Sequence, residues 1–221
     1  DLHSFPTRRS SDLPTADIAV LELDEAHAVH FINQILPSYC LLLNVMRDQL
    51  DRFGELDNVT AMLAKIADKT TKTVVLNSSD GRLVNLGQTL EVELESHNTS
   101  KTQSTTKKPK SRAKTARQST STKQIQYFGL SPLLTKKLTN PDQLASTYQP
   151  KNSVTLSQFQ AHKAELTFSR KQLTFRPKLD GLHNQLNLAG AVATARAILG
   201  EKLNYQKRSE EHTSELQSHQ P

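Results

Sequence analysis

Apolar positions along this chain alternate between short continuous runs and stretches of helical spacing. Asp17 to Leu23 (DIAVLEL) is a short apolar run of the kind that forms a parallel strand buried on both faces. Ala26, Val29, Ile32, Ile35 and Leu36 then recur near helical spacing, and Pro37 stops that helix. Tyr39 to Val45 reads as a second buried strand. Leu56, Val59, Met62, Leu63 and Ile66 restore the helical period over Leu56 to Asp68, with Asp57 as a candidate N-cap. Thr73 to Leu76 is a third strand, and Asn77-Ser78-Ser79-Asp80-Gly81 is its turn-rich exit. Strand and helix in alternation predict an α/β fold: three layers around a mostly parallel sheet, with right-handed crossovers.

The pattern breaks at Ser96 to Lys123, which is rich in Ser, Thr, Lys and Gln and whose only apolar residues are two Ala. Such a segment buries too little apolar surface to offset chain entropy, so it is expected to be disordered. Order is expected again at Gln124 to Gly129, a strand. Leu130 to Pro150, with Pro132, Pro141 and Pro150, reads as loop with a helical turn. Leu166, Phe168, Leu173 and Phe175 alternate on either side of Lys171-Gln172, which suggests a small antiparallel hairpin over Ala164 to Phe175. Leu182 to Leu199 is a helix with a small-residue face of Ala189, Gly190, Ala193 and Ala197, and Gly200 is a candidate C-cap.

Charge sharpens the division. The formal net charge is +6, yet Ser96 to Lys123 holds eight Lys or Arg and no Asp or Glu; without it the remainder carries −2. The segment reads as a solvated insertion, with a nucleic-acid or anionic-surface tether as the alternative; it lacks the interleaved aromatics that stack bases. The single cysteine, Cys40, excludes an internal disulfide and argues for a reducing compartment; in an apolar strand it reads as a structural thiol. No apolar run approaches the roughly 20 residues that span a bilayer.

The two ends read differently from the rest. HSFPTRRSSDL (His3 to Leu13) and RSEEHTSELQSH (Arg208 to His219) resemble translated sequencing-adapter DNA. The expected organisation is therefore a non-native leader over 1–13, a first block over 14–95, the basic insertion over 96–123, a second block over 124–207 and a non-native tail over 208–221. On that expectation the natural residues are an internal piece of a longer protein, with no phosphate-binding glycine loop of its own.

Candidate chemistry collects where strands end. Glu22 closes the first apolar run, with Asp24 and Glu25 close behind; carboxylates there suit a hard cation such as Mg²⁺, and a solvated acidic turn is the alternative. Asn44 to Glu55 follows the second run, at the carboxyl edge where open parallel sheets bind ligands.

Three segments, Leu21 to Ala26 (LELDEA), Asn44 to Glu55 (NVMRDQLDRFGE) and Gly181 to Ala191 (GLHNQLNLAGA), occur in the order and at the spacing of motifs in the Mur ligase superfamily, which the chain resembles over about 160 residues. The wording RDQLDRFGEL is most similar to MurT-type subunits of lipid II isoglutaminyl synthases. The resemblance implies a partial central, ATP-binding domain of an ATP-dependent carbon–nitrogen ligase, in which a substrate carboxylate is phosphorylated and then attacked by ammonia. It implies ATP and Mg²⁺ as cofactors, the D-glutamate of the lipid II stem peptide as acceptor, and a GatD-type glutaminase as partner. It also implies a cytoplasmic protein, peripheral to the membrane through its lipid-linked substrate.

By the resemblance, Glu22 helps hold the magnesium of ATP. Gln49 stands where many relatives have a metal-associated His, which leaves Asp48, Asp51 and Arg52 to organise the loop as the catalytic candidates; ion pairing within the loop is their alternative. Lys65 is the nearest match to a lysine that is carbamylated in several relatives, although an exposed helix lysine is the simpler reading. His183, Asn184 and Asn187 fit the nucleotide-contacting pattern. The two Asn lie three apart on one side of a helix start, where amides can pair with the donor–acceptor edge of adenine or cap the helix. The four cysteines of the zinc ribbon common in MurT-type proteins are missing, so no zinc is expected. Without a phosphate-loop lysine this chain alone is expected to be inactive. Another amino-acid-adding ligase of the superfamily and a non-catalytic basic nucleic-acid-binding module are the rival readings.

Overall fold

The computed structural model describes residues 17–45, 56–102, 123–137, 146 and 148–200. Their elements are α1 (Glu25–Ile32), β1 (Tyr39–Leu42), α2 (Leu56–Lys69), β2 (Thr73–Asn77), α3 (Gly81–Thr102), β3 (Gln124–Leu130), α4 (Pro132–Lys137), β4 (Asn152–Gln160), β5 (Lys163–Phe168), β6 (Lys171–Phe175) and α5 (Leu182–Leu199). The six strands form one sheet in the order β1-β2-β3-β4-β5-β6. The first four are parallel, and β5 and β6 add on as antiparallel strands.

Side-chain alternation along the strands builds two cores. Val75 of β2, Phe128 of β3 and Val154 and Leu156 of β4 pack under Leu186, Ala189, Val192 and Ala193 of α5. Val74, Leu76 and Tyr127 point the other way, onto Ile32 of α1, Val59, Leu63 and Ile66 of α2, and Leu83 and Leu90 of α3. The result is the expected three-layer α/β arrangement, and β2 is buried along its whole length. Each fully buried Leu or Val contributes about 1.5–3 kcal/mol. The small face of α5 brings it close to the sheet: a Cβ on Gly190 would stand 2.9 Å from Phe128 Cζ and 3.1 Å from Leu41 Cδ1.

The structure departs from the sequence reading in several places: β1 ends at Leu42 and not Val45, Asp57 lies within the first turn of α2 and is not its N-cap, and five larger differences follow. Asp17 to Leu23 forms no strand; Ile18, Val20, Leu21 and Leu23 are exposed, Val20 by 88%. An apolar run becomes a strand only where a neighbour completes its hydrogen-bond ladder, and among the described residues β1, not this run, is the first strand of the sheet.

Helix α1 ends at Ile32 rather than Leu36, because the Asn33 and Gln34 amides turn back to the His30 and Phe31 carbonyls and Pro37 biases Leu36 away from helix. Helix α3, 22 residues long, lies where the sequence pattern predicts no element, and it continues to Thr102, into the segment expected to be disordered. Strand β4 likewise has no counterpart among the predicted elements. Finally, the β5–β6 turn is at Ser169-Arg170, both with positive φ (46° and 64°), the backbone of a two-residue hairpin loop, and not at Lys171-Gln172.

Candidate functional site

The carboxyl ends of β1, β2 and β3 are tied together by three side chains from the β2–α3 turn. Asn77 Nδ2 donates to the Leu43 carbonyl at 2.8 Å, and its Oδ1 accepts from the Ser79 amide at 2.8 Å. Ser79 Oγ accepts from the Leu130 amide at 3.0 Å, at the end of β3. Asp80 caps α3, with Oδ1 taking the Arg82 and Leu83 amides at 2.9 and 3.3 Å. Its Oδ2 takes the Val45 amide at 2.7 Å, which anchors the chain as it leaves β1. This brace fixes the chain at Leu43 and Val45, just past β1. The turn chemistry of Asn77 to Gly81 was visible in the sequence, but that Asn77 and Asp80 reach across to β1 was not.

A second group forms at the same edge of the sheet. Strand β4 is parallel to β3, and the register pairs Leu130 with Leu156. It therefore runs four residues, about 13 Å, past the end of β3. There Gln160 accepts from Gln185 Nε2 at 2.6 Å and the His162 amide donates to Asp180 Oδ1 at 2.6 Å. The start of α5 accordingly lies at the carboxyl edge. His183 and Asn184 are exposed on its first turn, and Asn187 is half-buried one turn later. Asn184 Nδ2 donates to the Asp180 carbonyl at 2.6 Å.

The other candidates fall as follows. Glu22 is exposed in the run before α1, two residues ahead of its N-cap Asp24, whose side chain accepts from the His27 amide at 2.9 Å. It does not close a strand as expected. Asp48, Gln49, Asp51 and Arg52 lie outside the described residues. Lys65 is exposed on α2.

Among the described residues no three His, Cys, Asp or Glu side chains group closely enough to make a metal site of their own. A magnesium ion shared with phosphate oxygens asks for only one or two carboxylates. Glu22, exposed to solvent, suits that donor set; Asp80, with both oxygens occupied by backbone amides, does not.

Cys40 is free, and it sits in β1 opposite Val74. Burial pushes its thiol up to about 11, with smaller opposing contributions from the Thr70 hydroxyl, Lys123 and Val75. At pH 8 this leaves about a hundredfold less thiolate than an ordinary cysteine. Labelling by a thiol reagent is expected to be correspondingly slow and to speed up on unfolding; labelling at peptide rates in the folded protein would contradict this placement. Because the folded thiol titrates above the unfolded one, its contribution to stability is fully present below pH 9 and is lost as pH rises through 11.

No described helix is long and apolar enough to cross a membrane. Residues 7–195 match the family described as Mur ligase middle domain. Two curated relatives are named lipid II isoglutaminyl synthase (glutamine-hydrolyzing) subunit MurT. The one from Staphylococcus aureus strain COL is 34% identical over 67 residues, 30% of this chain and 15% of the relative. The one from Streptococcus pneumoniae R6 is 41% identical over 75 residues, 34% of this chain and 17% of the relative. The matches thus span under a fifth of those relatives' length. A MurF structure from Acinetobacter baumannii superposes with a TM-score of 0.51 at 13% identity, over 83% of this chain and 30% of that one, a likeness of fold. With its three-layer sheet and a family match over most of its length, the chain belongs to the Mur ligase middle-domain family, a family of ATP-dependent ligases.

Proposed function

We propose that this chain is the central-domain part of a lipid II isoglutaminyl synthase, amidating the D-glutamate carboxylate of the lipid II stem peptide with ammonia from a GatD-type glutaminase. The observation that carries the reading is the identity of 34% and 41% to the two MurT subunits. The wording RDQLDRFGEL, directly after the braced end of β1, supports it.

The part of each residue is carried over from the resemblance. ATP, when bound with Mg²⁺, supplies the phosphoryl group that activates the carboxylate. Glu22 offers the carboxylate for the cation, and His183, Asn184 and Asn187 meet the base at the start of α5. Asp48, Asp51 and Arg52 organise the stretch that follows Val45, whose amide Asp80 holds. Positioning and charge neutralisation account for most of the catalysis in such a step. The work is placed in the cytoplasm, at the headgroup of the lipid-linked substrate.

The test is reconstitution of a protein carrying this chain and the remainder of the ligase with the glutaminase, glutamine, ATP and lipid II. Amidated lipid II, dependent on ATP, is the expected product. Transfer of an amino acid in place of ammonia would overturn the reading in favour of an amino-acid-adding ligase.

A further inference from the structure

The turn between β4 and β5 is clasped to the start of α5. His162 occupies the left-handed region (φ 53°), which a non-glycine residue adopts only when its surroundings hold it. Asp180 holds it from both sides: Oδ1 accepts the His162 amide at 2.6 Å, and Oδ2 pairs with His162 Nε2 at 3.0 Å. One helical turn on, the fully buried Gln185 donates to the Gln160 carbonyl at 2.6 Å, while its Oε1 is buried with no protein partner. A buried amide with one unmade bond is a costly way to fill space. A leucine would pack there without that cost, but it could not hold the turn.

We propose that Asp180 and Gln185 are positioning residues, clasping the β4–β5 turn so that the first turn of α5 presents a fixed face to the nucleotide base. The role rests on the reading of His183, Asn184 and Asn187 as base contacts. The link is direct: the Asp180 main-chain carbonyl also takes Asn184 Nδ2, so a shift of Asp180 turns the Asn184 amide with it. A contact surface on a short turn gains affinity when it is ordered before the ligand arrives.

Two measurements on Asp180→Ala, Asp180→Asn and Gln185→Leu test this. In the 221-residue chain, amide exchange at Gln185 and Leu186 is read by NMR beside a thermal melt. Asp180→Ala should speed exchange about tenfold while β2 stays protected, as expected for losing bonds to a charged acceptor. Asp180→Asn, which keeps an acceptor for the His162 amide, should recover most of the protection. Gln185→Leu should melt no lower than the parent yet exchange faster at Leu186. Unchanged exchange in Asp180→Ala and Gln185→Leu, or Asp180→Asn as fast as Asp180→Ala, would overturn the clasp.

In the longer ligase, Mg·ATP affinity is read by calorimetry. A parent that binds, with Asp180→Ala weaker by about tenfold and Asp180→Asn nearer the parent, supports positioning. A parent that binds, with all three variants within twofold of it, overturns positioning while leaving the proposed function standing. A parent that binds no nucleotide overturns the proposed function, and the positioning role with it, whatever the exchange data show.

Discussion

Glu22→Gln, made in the longer ligase, is expected to lower ATP-dependent amidation more than about a hundredfold while leaving the thermal melt unchanged. The substitution keeps size and removes one negative charge. Opposite a magnesium ion that charge stabilises the transition state by several kcal/mol, and a loss of about 3 kcal/mol is already more than a hundredfold in rate. Stability should not follow, because Glu22 is exposed and precedes the N-cap of α1. Exposed positions away from caps and cores usually change stability by less than about 0.5 kcal/mol. The comparison is Asn184→Ala, which removes a neutral hydrogen bond of about 1 kcal/mol and should cost tenfold or less, through nucleotide affinity. Ammonia incorporation into lipid II reads both. A fully active, equally stable Glu22→Gln protein would remove Glu22 from the metal site.

Asp80→Ala is expected to have the largest effect on stability, about 3 kcal/mol in chemical denaturation. It removes the cap of α3, worth about 1 kcal/mol, and leaves the Val45 amide without the charged acceptor it meets at 2.7 Å, worth about 1.5–3 kcal/mol. Asp80→Asn retains an acceptor for the cap and should lose less than half as much. The loss should also be felt at the site, because the RDQLDRFGEL segment begins two residues after Val45. A variant within about 0.5 kcal/mol of the parent would show that the brace contributes nothing measurable.

Several elements are determined locally, and for these the sequence alone sufficed. Helix α5 was legible from Leu182 to Leu199, as were α2 and strand β2, each within one residue of its end. In each the apolar period is long or continuous and the flanking residues stop it. The three ordered motifs pointed to the family by wording, which depends on no contact.

Only the tertiary structure decided the rest, because it rests on partners distant in sequence. Asp17 to Leu23 has the composition of a strand, but composition does not supply a neighbouring ladder, and the run stays exposed. Asn77 and Asp80 read as turn residues and become the brace of the edge only because parallel pairing sets β1 beside β2. Gln185 reads as a polar position between two asparagines. It is buried, and joined to Gln160, because β4 overruns β3 by four residues and packs against α5.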